Sequence, residues 1–227
     1  MSIRTPSPDW MERLLSSKQY SDCTIACEGE NFYVHKAVVC TQSPVLAAAM
    51  DGQFREARTD IMHLYGFDVA TVKRMIDYLY TGQFNGDVEN EVVDDAPSST
   101  EDPSETNEDI LVRIRIKMHT IADYLQISGL RERSIMGILS ALEANWSMQR
   151  FLRALEAMLM VTRDASLYGA IASVAADHIT ELLDSEVFLH LDMPNEMTLG
   201  IARELAKGQG RPRRYPCRCC ARCKFRK

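Results

Sequence analysis

Residues 32–40 read FYVHKAVVC, and the fold is decided by how this stretch joins the segments on either side of it. Before it, the segment CTIAC at 23–27 alternates its larger apolar side chains with smaller ones, and EGEN at 28–31 is typical of a turn. Phe32 and Val34 continue the alternation after the turn. This pattern predicts a β-hairpin.

Helices and one more strand follow the hairpin. Residues 36–41 predict a short helix, and the pair 43–44 (Ser-Pro) supplies the N-cap and first residue of a second helix that runs to about Met50. Alternation at 61–65 predicts another short strand. The apolar spacing after Asp68 indicates an amphipathic helix that this residue caps. The segment therefore mixes a few short strands with several helices.

An acidic stretch interrupts this pattern. Residues 85–108 are low in apolar residues and rich in Asp, Glu, Ser, Thr and Pro. Between Phe84 and Arg113 the chain has ten acidic residues and neither lysine nor arginine. Because such a composition cannot bury enough apolar surface to offset its chain entropy, we predict a disordered acidic insertion at about residues 85–109.

Beyond the insertion, apolar residues recur at intervals of three and four, which indicates helices. The predicted helices span 111–125, 130–142, 147–161, 164–184, 185–191 and 194–206. The predicted parts of the chain are an N-terminal arm (1–19), an α+β domain that contains the acidic insertion (20–142), a helical extension (143–206) and a basic, cysteine-rich tail (207–227).

The α+β domain carries a series of short strings. They are YSDCTI (20–25), FYVHKAVVC (32–40), SPVL (43–46), GQFRE (52–56), LYGFD (64–68), YLYTG (78–82) and IADYL (121–125). In this order and spacing they resemble a BTB/POZ domain. The resemblance implies a small sheet with a β-hairpin, packed on a cluster of short helices. The all-helical C-terminal extension resembles that of fungal single-domain BTB proteins.

The resemblance also implies a dimer interface. In BTB dimers, an acidic residue that opens the first strand and a basic residue after the hairpin form a charged pocket between the subunits, and these positions fall on Asp22 and Lys36. The N-terminal arm, with Trp10 and Leu14, resembles the segment that such dimers exchange. The alternative for the arm is docking onto its own domain, because short exposed apolar segments are unfavourable unless they dock.

Five further residues are interpreted as markers of the fold. His35 is expected to be a hydrogen-bonded histidine at the junction of strand and helix. Phe54 and Glu56, after Gly52, predict a turn that tucks the chain back against the core. Tyr80 and Gly82 predict core packing and a helix C-cap.

The resemblance also implies a candidate partner, a cullin ubiquitin-ligase scaffold. Many cullin adaptors carry a hydrophobic-x-Glu signature in the connection that follows the Tyr-Thr-Gly turn. Here the acidic insertion replaces that connection, and its nearest match, Val88-Glu89-Asn90, has asparagine where glutamate is expected. The loop could block such a partner or recruit a different one.

No enzyme signature is present in the sequence. It has no G-x-x-x-x-G-K-[ST] loop, no H-E-x-x-H and no G-x-S-x-G elbow, and Gly208-Gln209-Gly210 is interpreted as a flexible spacer. The five histidines are widely spread, and Cys40 is expected to be a small core thiol, not a nucleophile. We therefore predict a non-enzymatic protein without a cofactor.

The tail is the segment with independent chemistry. It contains nine basic residues from Lys207 onwards and no acidic one. Its four clustered cysteines are weak zinc candidates, because structural sites usually supply two pairs separated by a loop. These cysteines are Cys217, Cys219, Cys220 and Cys223. Palmitoylation beside the basic patch, contact with nucleic acid or an import receptor, and a solvated tail without a defined role remain the alternatives.

Composition sets the broad class. The chain has 227 residues, a net charge of −6 and no apolar run long enough for a transmembrane helix. An odd number of cysteines and a polar N-terminus favour an intracellular location, in the cytoplasm or nucleus. We predict a protein-interaction module that self-associates as a homodimer and recruits a partner, such as a cullin scaffold. The alternative is a nuclear regulator whose tail contacts nucleic acid.

Overall fold

The computed structural model describes residues 9–84, 106–144 and 146–209. Its strands form one sheet in the order β2-β1-β3. Their bounds are Cys23–Cys27 for β1, Glu30–Val34 for β2 and Ile61–His63 for β3. The central strand pairs antiparallel with β2 and parallel with β3, so that Ile25 lies opposite both Phe32 and Met62. The predicted hairpin and third strand are confirmed.

Five helices accompany the sheet in the first described range. They are α1 (Asp9–Ser17), α2 (Lys36–Val39), α3 (Pro44–Asp51), α4 (Arg55–Thr59) and α5 (Val69–Thr81). The Ser43 hydroxyl caps α3 by accepting from the Leu46 N–H, and Asp68 caps α5 by accepting from the Thr71 N–H. Gly82 ends α5 with a φ of 70°, a left-handed conformation that glycine adopts without strain.

Phe54 does not itself pack into the core. Helix α4 begins directly after this residue, and its side chain is 63% exposed instead of tucked against the core. The ring lies beside Gly52, where an added Cβ would be 3.1 Å from the ring atom Cδ2. Glu56 lies in the first turn of α4, where its carboxylate interacts favourably with the positive end of the helix dipole.

Seven helices follow in the remaining described residues. They are α6 (Asn107–Tyr124), α7 (Ser128–Ala144), α8 (Met148–Val161), α9 (Ala165–Asp177), α10 (Ile179–Leu182), α11 (Glu186–His190) and α12 (Asn195–Gln209). The predicted helix 164–184 is divided at His178, whose ψ of 19° leaves the helical region. The His178 ring stacks on Trp146 at 3.6 Å between ring centroids, and this contact favours the break.

Two predicted boundaries change as well. The acidic insertion does not reach residue 109, because Glu108 and Asp109 form the first turn of α6. Thr106 and Asp109 build a capping box in which each side chain accepts a hydrogen bond from the other residue's backbone N–H. At the other end, Gly208 and Gln209 belong to α12 and are not a spacer. The rest of the insertion and of the tail lies outside the described residues.

Helix α6 lies between two hydrophobic cores. Ile114, Met118 and Ile121 pack into the first core, which is built on the sheet and α3 and α5. Val112 and Ile116 pack into the second core, formed by α7 to α12. The fold is therefore α+β, with a small sheet and helices followed by an all-helical region, as predicted. Within the described residues, no helix is both long and apolar enough to cross a membrane.

Candidate protein-interaction site

His35 joins the hairpin to the helices through a buried hydrogen-bond network. Its Nε2 lies 2.7 Å from the Gln19 carbonyl oxygen, which can only accept, so Nε2 carries the proton. Nδ1 lies 2.6 Å from the Tyr80 hydroxyl oxygen, which also accepts from the His35 backbone N–H at 2.9 Å. The predicted hydrogen-bonded junction histidine is confirmed.

Tyr80 is held as a neutral phenol in this network. Burial raises its pKa to about 12, although the hydrogen bond from the His35 backbone N–H favours the phenolate. The hydrogen bonds that His35 makes with Tyr80 and Gln19 position the start of α2.

Asp22 and Lys36 meet, but not as a pair of side chains. The Asp22 carboxylate accepts from the Lys36 backbone N–H at 2.7 Å. The Lys36 ammonium reaches Asp60 instead, with Nζ 2.7 Å from Oδ1, and this hydrogen bond raises the pKa of Lys36. Asp60 precedes β3 in a left-handed conformation (φ 53°), which asparagine and aspartate tolerate best among residues with a side chain. The sequence pattern gave no signal for this partner.

The N-terminal arm docks partly onto its own domain. Met11, Leu14 and Leu15 are half-buried against the first core, which α1 reaches through its contact with α5. Trp10 stays on the outside and is 55% exposed. Of the two predicted arm residues, Leu14 is therefore docked in this chain and Trp10 is available to another molecule.

Exposed aromatic residues continue from the arm to the hairpin. Tyr20 is 87% exposed and has a φ of 64°, an unusual conformation for a bulky side chain. Tyr33 on β2 is also exposed, and the Lys18 ammonium lies 5.4 Å from its ring centroid. We call Trp10, Lys18, Tyr20 and Tyr33 the arm face.

The thiols near this site are poor nucleophiles. Cys23 and Cys27 are buried, as predicted, and Cys40 is half-buried. Burial raises the pKa of Cys23 to about 12 and also raises the pKa values of the other two thiols. Since the thiolate is the reactive form, all three are suited to packing.

Two other predicted regions cannot be placed. Val88-Glu89-Asn90, the replacement for the cullin signature, lies outside the described residues, which end in this region at the buried Phe84. The tail cysteines Cys217, Cys219, Cys220 and Cys223 lie outside them as well. Zinc binding and palmitoylation of the tail therefore stay predictions.

Part of the chain is similar to known protein families and to individual proteins. The model of the BTB/POZ domain family matches residues 11–95. TD and POZ domain-containing protein 4 of Mus musculus is 30% identical over 64 residues, which is 28% of this chain and 17% of that protein. TD and POZ domain-containing protein 2 of Mus musculus is 28% identical over 75 residues, or 33% of this chain and 21% of that protein. The match thus spans about a fifth of these relatives' length. The likeness of the helical extension to fungal proteins stays a prediction.

Proposed function

We propose, from the premise that residues 11–95 form a BTB/POZ domain and hence a protein-interaction module, that this chain self-associates through its arm face. The observation that carries the proposal is the exposure of Trp10 and Tyr20 beside the docked part of the arm. Exposed aromatic residues are enriched at surfaces that become buried against another protein.

The charged group at the junction sets the orientation of the two copies. Asp22 is fixed by its hydrogen bond to the Lys36 backbone, and the Lys36–Asp60 pair is partly exposed at the same junction. A partly exposed ion pair adds little stability to the folded chain itself. At an interface the same charges become desolvated, and reversal of one of them leaves its partner buried and unpaired.

The recruited partner is proposed to be a protein, and a cullin ubiquitin-ligase scaffold is the first one to test. The family resemblance supports it, and the replaced connection after Gly82 opposes it. An intracellular location goes with this role, because Cys23, Cys27 and Cys40 are free thiols.

The test is the light-scattering mass of the full chain, alone and mixed with the N-terminal region of a cullin scaffold. We expect a dimer that becomes a monomer in Lys36→Glu and in the double variant Trp10→Ser, Tyr20→Ser. The matched control is Lys73→Glu, which changes the same charge at an exposed position of α5.

A wild-type monomer, or variants that keep the dimer mass, would overturn self-association through this face. A larger stoichiometric complex with the cullin supports the adaptor role, and an unchanged mass in the mixture removes it.

A further inference from the structure

The segment that contains α10 and α11 presents large apolar side chains to the outside. Leu183, Val187 and Leu189 are each more than half exposed. Leu182 and Phe188, which alternate with them along the chain, are buried in the second core and hold the segment in place. Neighbouring apolar side chains on a fixed segment are typical of a surface that another segment covers.

The same surface is acidic. Between Arg163 and Arg203 the sequence contains seven acidic residues and neither lysine nor arginine. Asp184, Glu186 and Asp192 are exposed, and within the described part of the chain no lysine or arginine forms an ion pair with them. Three carboxylates therefore surround the exposed apolar side chains. We call the following residues the α11 face: Leu183, Asp184, Glu186, Val187, Leu189 and Asp192.

Helix α12 runs parallel to α9, and this direction decides where it ends. A Cβ added at Gly200 would lie 2.9 Å from the Cβ of Ala172. One turn earlier on both helices, Tyr168 has a pKa that is raised mainly by burial and also by the charge of Glu196. The two pairs have the same order along both helices, so the C-terminal ends of α9 and α12 lie at the same end of the helical half.

Helices α10 and α11 connect the end of α9 to the beginning of α12. Because α9 and α12 are parallel, this connection must run back along the helical half from the end at which α12 also stops. The residues that follow Gln209 therefore leave α12 close to α10, at the start of the segment that carries the α11 face.

We infer that residues 210–227 of the same chain bind the α11 face. They contain eight lysines and arginines and no acidic residue, so their charge is opposite to that of the face. Tyr215 and Phe225 supply aromatic side chains for the exposed apolar residues. An extended chain spans about 3.3 Å per residue, which lets this segment reach all of α10 and α11 from Gln209.

The covalent connection favours this occupant over a basic segment of another protein, because it keeps the tail at a high effective concentration near the face. The inference goes beyond the proposed function, since the α11 face lies in the helical half and not at the arm face. Salt should weaken the contact, because the charges involved are exposed.

The experiment is disulfide trapping in the full chain. Val187→Cys is combined with the replacement of Cys217, Cys219 and Cys220 by serine, which leaves Cys223 as the tail thiol. Copper phenanthroline oxidises the thiols, and mass spectrometry of the digested protein measures how fast positions 187 and 223 become linked. The control carries Met136→Cys instead, at an exposed position of α7, and is expected to link much more slowly.

Charge variants test what holds the tail. Adding Asp184→Asn, Glu186→Gln and Asp192→Asn, or about 0.5 M NaCl, is expected to slow linking roughly three- to tenfold. The matched control removes three exposed carboxylates elsewhere, by Glu30→Gln, Glu132→Gln and Glu143→Gln, and should leave the rate unchanged. Thermal melts confirm that each variant is folded.

Three results would overturn the inference. Equal linking from positions 187 and 136 would mean that the tail has no preferred surface, and a rate unaffected by the three substitutions on the face would remove the role of charge. Links between two chains, identified in a mixture of ¹⁵N-labelled and unlabelled protein, would make the tail of a second copy the occupant.

Adding Lys36→Glu separates this inference from the proposed function. This substitution is expected to lose the dimer mass while positions 187 and 223 link as fast as before. A monomeric wild type whose cysteine variant still links would remove self-association and leave the tail contact, whereas a dimer without the link would do the reverse.

Discussion

The two halves of the molecule hold their distant segments together in different ways. In the sheet-containing half, the buried hydrogen bonds between distant residues described above involve no carboxylate or guanidinium group. Tyr80 binds His35 across 45 residues of sequence, and the Ser43 hydroxyl donates to the Leu125 carbonyl at 2.6 Å. In the helical half, the corresponding buried contacts involve charges: Arg150 on Asp109, and His119 with its Nε2 3.0 Å from Asp164.

This difference indicates where the fold is sensitive to its surroundings. Buried carboxylates and a buried histidine with shifted pKa values couple stability to protonation. The helical half is therefore expected to respond to pH first. The halves are not separate units, however, because α6 supplies apolar side chains to both cores.

The largest expected effect tests whether the halves unfold together. Leu155 is fully buried in the second core, and Leu155→Ala is expected to lower the free energy of unfolding by about 2–5 kcal/mol. Because α6 is shared, the transition should move equally at Trp10, which reports on the first half, and at Trp146, which reports on the second. Urea unfolding of Trp10→Phe and Trp146→Phe backgrounds separates the two fluorescence signals.

The control for this substitution is Leu199→Ala, at an exposed position of α12. A shift at Trp146 with an unchanged midpoint at Trp10 would mean that the helical half unfolds alone, and the shared helix would not couple the cores.

A smaller loss of stability is expected when the hydrogen bonds between His35 and Tyr80 are removed. Tyr80→Phe removes the hydroxyl and leaves the His35 backbone N–H and Nδ1 without their partner, at a cost of about 1–3 kcal/mol. Urea unfolding measures this cost, and hydrogen exchange at the His35 amide should accelerate. Tyr65→Phe, at an exposed tyrosine, serves as control. A stability and an exchange rate equal to those of wild type would contradict this role of the hydroxyl.

The smallest expected effect is a change in the free energy of unfolding with pH, caused by His119. His119 is fully buried, and burial lowers its pKa below the ordinary value of 6.5, although Asp164 and Asp123 oppose this shift and Arg131 adds to it. Below about pH 6.5 the unfolded chain binds a proton that the folded chain resists, so stability should fall with falling pH. The slope is at most about 1.4 kcal/mol per pH unit and ends once the folded chain is protonated too.

His119→Gln removes the titrating ring and should flatten this part of the stability–pH curve, measured by urea unfolding from pH 7.5 to 5. The control is His190→Gln, at an exposed histidine of α11. An identical slope in wild type and His119→Gln would show that the buried histidine is not the source.

Local features of the fold could be predicted from the sequence. The caps at Ser43, Asp68 and Gly82 depend on residues three or four positions away, which a pattern of neighbours reveals. The short helix α4 could not be predicted, because it has no buried residue and hence no apolar stripe.

The candidate site was less accessible to prediction. The family resemblance marked Asp22 and Lys36, but the actual partner of the Lys36 ammonium, Asp60, is brought close by the parallel pairing of β1 and β3. Contacts between distant segments arise from packing, and a single sequence does not record them.

The position of α6 between two cores also limits where the chain can change in length. Successive residues of a helix are rotated by about 100° around its axis. One residue inserted within α6 would therefore turn Val112 or Ile116 away from the second core. It would also change which side chains α6 presents to the first core. Residues added or lost before Thr106, the N-cap, leave the phase of the helix unchanged. Variation in length among related chains should therefore collect upstream of Thr106 and be absent between Asn107 and Tyr124.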